Sequence, residues 1–126
     1  METNFDQMLL AHSRWKAKLK AAIEQREAFD ARIAGKDDQC EMGKWIYGEG
    51  NKYAARALFL DLKAKHAKFH ACVANVLVQI RSSSPAKALE LIDPQHSEYG
   101  RASSDCINAI AALRDSLKAS PVNARP

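Results

Sequence analysis

Apolar residues recur three or four positions apart along almost the whole chain. Phe5, Met8, Leu9, Trp15, Leu19, Ala22, Ile23, Phe29 and Ile33 draw one stripe; Phe59, Leu62, Phe69, Val73, Val76, Leu77 and Ile80 draw a second. Tyr99, Ser103, Cys106, Ile110, Leu113 and Leu117 draw a third. That period puts the side chains on one face of a helix and scatters them over both faces of a strand. The spacing predicts an all-α protein, an antiparallel up-and-down four-helix bundle with one or two short extra helices.

At 126 residues the chain has length for one modest core, so a single helical domain over 1–119 is expected, with 120–126 as a flexible tail. The first stripe asks for one helix from Phe5 to Ile33, about eight to nine turns long. Gly35 closes it, and Lys36-Asp37-Asp38 is expected to cap the next, because aspartate accepts from free amides at a helix start. Residues 38–47 then form a helix of about two to three turns, punctuated by Gly48 and Gly50. Ser82-Ser83-Ser84-Pro85 ends the second long helix, since proline has no amide to donate. Ala86 to Ile92 makes a short helix, and the third stripe makes the last.

Histidines interrupt two of these stripes from within. His12 lies in the first and His66 and His70 in the second, and a buried neutral imidazole needs partners for two nitrogens. His66 and His70 stand one helical turn apart on one face, a spacing that lets both reach one ion. Cys40, taken alone, is a small buried hydrophobe, and each histidine, taken alone, is more often a packed residue than a ligand. Together they make a tetrahedral set of three nitrogens and one sulfur, the donor mixture that zinc accepts. On the residues alone, a zinc site and four separately packed side chains stand level.

Such a set is closed, and that argues against an enzyme. Catalytic zinc keeps a position for water, which four protein ligands would fill. The residue after His66 is Ala67, where the His-Glu-x-x-His hydrolases carry their general base. The apolar stripes hold no carboxylate at Glu-x-x-His spacing, and a Cys-x-x-Cys-His haem motif is absent.

Three cysteines, Cys40, Cys72 and Cys106, are odd in number and far apart, which suits free thiols in a reducing compartment. Cys72 is rotated off the face of His70 and reads as packing, Cys106 as core, and His96 as exposed. The net charge of +4, from 19 basic and 15 acidic residues, follows solvated helix faces. Lys63, Lys65 and Lys68, with a pI near 9.1, raise a weaker rival reading as a nucleic-acid-binding module, and no nucleic-acid partner is expected. No run approaches the roughly 18 apolar residues of a membrane span, and residues 1–4 lack a secretory start. No membrane association and a cytoplasmic location are expected.

Three blocks carry a resemblance: His12-Ser-Arg-Trp15, then Cys40-Glu-Met-Gly43-Lys44-Trp45-Ile46-Tyr47-Gly48-Glu49-Gly50, then His66-Ala-Lys-Phe69-His70. They cover roughly residues 12–76, and the chain there resembles the chemoreceptor zinc-binding domain family of bacterial signalling proteins. The resemblance implies one Zn2+ held by His12, Cys40, His66 and His70 in a non-catalytic regulatory domain. It implies that Cys40 is a redox switch able to leave the metal, coupling zinc or oxidant level to a chemotaxis or cyclic-di-GMP type output. The implied partner is a chemoreceptor signalling region or a diguanylate cyclase, in trans or fused in a longer parent, and a homodimer is a further expectation. A purely structural zinc-stabilised interaction protein is the alternative. Trp15 and Trp45 are expected to shield the site, and Asp37, Asp38 and Glu41 are candidates to support its imidazoles.

Overall fold

The computed structural model describes residues 4–24 and 31–119. These form helices joined by turns, with no strand among the described residues. In chain order they are α1 (Phe5–Ser13), α2 (Trp15–Glu24), α3 (Ala31–Ala34), α4 (Glu41–Tyr47), a 3-10 turn at Glu49–Tyr53, α5 (Ala57–Ile80), α6 (Pro85–Glu90) and α7 (Glu98–Ala119). The all-α expectation holds.

The two longest helices, α5 and α7, pack on one another, and α1 lies against α7 while α3 lies against α5. Their buried faces are the stripes read from the sequence: Phe59, Leu62, Phe69, Val73, Val76 and Leu77 from α5, and Tyr99, Cys106, Ile110 and Leu113 from α7. Each such side chain withdrawn from water contributes about 1.5–3 kcal/mol, before the entropy of ordering it is subtracted. Ser84 caps α6 by accepting from the Lys87 amide at 3.2 Å, and Pro85 follows at the first helical position, where its missing donor costs nothing.

Several expected details differ. The first helix is interrupted at Arg14, where Ser13 Oγ donates to Leu10 O at 2.9 Å and His12 Nδ1 binds Met8 O at 2.9 Å. Side chains that bond the preceding turn compete with the helical ladder. The backbone nevertheless passes through in helical conformation, φ −74° and ψ −15°, so the stripe runs on from α1 into α2. Phe29 of that stripe lies outside the described residues, and Ile33, expected inside, is 57% exposed. The tail at 120–126 also lies outside them. The cap of α4 is neither Asp37 nor Asp38 but Cys40, whose sulfur accepts from the Gly43 amide at 3.3 Å.

Candidate metal centre

Three separate elements deliver the four candidate residues. His12 stands in the last turn of α1, His66 and His70 stand on consecutive turns of α5, and Cys40 stands at the N-cap of α4. Their donor atoms all lie within 4.8 Å of one another. The imidazole centroids are 5.0 Å apart for His12 and His66, 4.6 Å for His66 and His70, and 6.0 Å for His12 and His70. His66 is 0% exposed and His12 and His70 are each 2% exposed, whereas Cys40 is half-buried. Positions 12, 40, 66 and 70 are brought together; Cys72 and Cys106 are not part of the cluster.

The placement of Cys40 depends on glycine at 43. A Cβ there would stand 1.9 Å from the Asp37 carbonyl oxygen and 2.8 Å from the Asp38 Cα, so only glycine lets the 37–38 backbone lie against α4. Tyr47 closes the same loop by donating its hydroxyl to Asp37 Oδ2 at 2.5 Å. That bond to a carboxylate pushes the Tyr47 pKa up to about 12. Lys63 Nζ lies 4.9 Å from the centroid of the Tyr47 ring, which ties the loop to α5.

The imidazoles are oriented by backbone carbonyls. His12 Nδ1 donates to Met8 O at 2.9 Å and His70 Nδ1 donates to Ala34 O at 2.8 Å. With the proton on Nδ1, Nε2 is left as a bare lone pair. Metal-ligating histidines are fixed in this way, one ring nitrogen donating outward while the other faces the ion. His70 Nε2 lies 3.5 Å from Cys40 Sγ and His66 Nε2 lies 3.2 Å from it. His12 Nε2 and His66 Nδ1 are buried without a hydrogen-bond partner, each costing about 1–3 kcal/mol if nothing else satisfies it.

Electrostatics agree with a site built for a cation. Burial pulls His12, His66 and His70 below the ordinary histidine range, His66 to about 3, and the neighbouring imidazoles lower His66 further. They are therefore held neutral, as ligands must be. Burial raises the Cys40 thiol, while the amides of Gly43 and Met42 act in the opposite direction. A soft sulfur donor that a bound cation would deprotonate, beside neutral imidazoles and buried ring nitrogens without partners, fits zinc.

Other expectations fall unevenly. Trp15 packs edge-on to His70 at 6.2 Å, and Trp45 packs with Phe5 at 5.3 Å and Phe59 at 6.0 Å. His96 is exposed and Cys106 is fully buried. Asp37 accepts from Tyr47 and acts on His70 through its charge, Asp38 accepts from Gln39, and Glu41 opens α4; the Nδ1 hydrogen bonds of His12 and His70 go to carbonyls. The Met8 carbonyl was readable in principle, lying one turn before His12. The Ala34 carbonyl had no signal, because a backbone oxygen leaves no trace in residue type.

An apolar pocket of about 280 Å3 opens beside the cluster, lined among the described residues by Trp15, Ile33, Ala34, Lys36 and Gln39 together with Cys40 and His70. No described helix is long and apolar enough to cross a membrane. The model of the chemoreceptor zinc-binding domain family matches residues 12–77, just over half of the chain. No curated protein matches the chain, and no solved structure does.

Proposed function

This chain belongs to the chemoreceptor zinc-binding domain family, and on that footing we propose that His12, Cys40, His66 and His70 hold its zinc and that the domain converts zinc or oxidant level into a signal. The carrying observation is the buried cluster of four donors within 4.8 Å, in which Cys40 alone is not fully buried. Bound zinc supplies a positive centre that neutralises the thiolate and occupies the imidazole lone pairs, linking α1, α4 and α5.

The chain's own residues supply the rest. Met8 O and Ala34 O orient two imidazoles, the α5 and α1 side chains exclude water, and the Gly43 amide stabilises negative charge on sulfur. Four protein donors leave no place for a substrate water, so the role is regulatory and non-catalytic. Cys40 is the switch in this reading. Oxidation of its thiolate removes the sulfur as a donor, and the loop from Asp37 to Tyr47 is then free to rearrange. A chemoreceptor signalling region or a diguanylate cyclase, in trans or in a longer parent, receives the change, and the domain works as a homodimer.

Treating zinc-loaded protein with one equivalent of hypochlorous acid or peroxide tests the switch, with zinc release followed by a chromogenic chelator. Release in step with Cys40 oxidation is expected. Retained zinc with Cys40 still reduced would return the site to a purely structural role.

A further inference from the structure

The pocket beside the cluster touches the four donors unequally. Cys40 and His70 line it, while His12 and His66 are enclosed on other sides at 2% and 0% exposure. Trp15 and Ala34 form its wall, and Ile33 stands at its margin, 57% exposed although it belongs to the apolar stripe of the first helix. Among the described residues Lys36 is the charged side chain on its lining and Gln39 a polar one, and both are exposed, so water and salt screen the charge. An apolar cavity of roughly 150 Å3 is enough to hold benzene, and this one, at about 280 Å3, has room for a molecule of about one substituted ring.

We propose that this pocket is the port by which small molecules reach the metal centre, and that its apolar wall selects uncharged ones. This rests on the zinc reading above. A charged solute entering loses water that Trp15, Ile33 and Ala34 cannot replace, whereas an uncharged solute gains contact with them. The port makes Cys40 the first donor met, with His70 beside it. Ile33 is the specificity-determining residue, because its side chain is large and stands exposed at the margin.

The test uses zinc-loaded protein and two thiol reagents of opposite character: N-ethylmaleimide, small and uncharged, and dithiobis-nitrobenzoate, bulky and dianionic. Zinc release reports reaction at the centre whatever happens at Cys72, and each rate is divided by the same reagent's rate with glutathione. The normalised preference for the maleimide should be about tenfold or more, a small part of the cost of carrying charge into apolar surroundings. Ile33→Trp should slow maleimide-driven release about fivefold, and Ile33→Lys should erase the preference. Since Ile33 is exposed, both variants should keep the wild-type zinc content and helical circular dichroism. A preference equal to that of glutathione, or wild-type release rates in both variants, overturns the port. Wild-type protein that carries no zinc overturns the zinc reading, and the port with it.

Discussion

His70 donates from Nδ1 to the carbonyl of Ala34 at 2.8 Å, across 36 positions of sequence. One imidazole of the proposed metal set therefore joins α5 to the end of α3, just ahead of the loop that carries Cys40. If His70 Nε2 holds zinc as proposed, removing the metal releases it, and the ring loses one of the two restraints on its plane. α3 has only four residues, too few to persist without tertiary support. Chelation should raise amide exchange at Ala34 to Lys36 by at least about tenfold, while amides in the middle of α7 keep their protection. Hydrogen exchange on zinc-loaded and chelator-treated protein checks this.

Gly43→Ala should be costly at a position that touches no metal donor through a side chain. The added Cβ meets the Asp37 carbonyl oxygen at 1.9 Å, and backbone cannot rotate away as a side chain does. A loss of about 1–3 kcal/mol in stability is expected, together with weaker zinc retention as Cys40 is displaced. Urea unfolding with and without zinc measures both.

Tyr47→Phe removes one hydroxyl and leaves the ring over Lys63. The lost bond to Asp37 is charge-assisted but half exposed, so about 0.5–1.5 kcal/mol is expected, read as roughly two- to tenfold faster zinc release to excess chelator. Asp37→Asn should fall in the same direction, and the double variant should add little to either, because both remove one interaction.

Acid should weaken the metal-free protein. Folding holds His12, His66 and His70 neutral, with His66 lowered from 6.5 to about 3. The unfolded chain protonates these rings below about pH 6.5 more readily than the folded chain does, so it binds more protons and gains relative stability as pH falls. Above about pH 6.5 both states are neutral there and no dependence arises from them. Each ring contributes a slope of up to about 1.4 kcal/mol per pH unit below that value. Urea midpoints from about pH 7.5 down to about pH 5 should be flat and then decline, less steeply in His66→Phe.

Helical class and buried faces were legible because both follow from a period in residue type, as the stripe from Phe59 to Leu77 shows. The donor set was legible in part, because polar residues inside apolar stripes need a reason and the His66/His70 spacing supplied one. What brings His12 and Cys40 to that pair is tertiary packing, which local spacing does not encode. The sulfur cap of α4 was missed because aspartate is the commoner cap and Asp37 and Asp38 stood nearby. Asp37 was instead taken by Tyr47, ten residues on. Ile33 followed the period yet ended exposed, where α3 meets the pocket.

The most direct measurement is the metal content of protein purified without an affinity metal, for the wild type and for His12→Ala, Cys40→Ala, His66→Ala and His70→Ala. About one zinc per chain in the wild type, with loss or marked loosening in each variant, is the expected result, since a four-donor site deprived of one donor holds its ion far less tightly. Full zinc retention after His12→Ala or Cys40→Ala would contradict the assignment of these four residues as the zinc ligands.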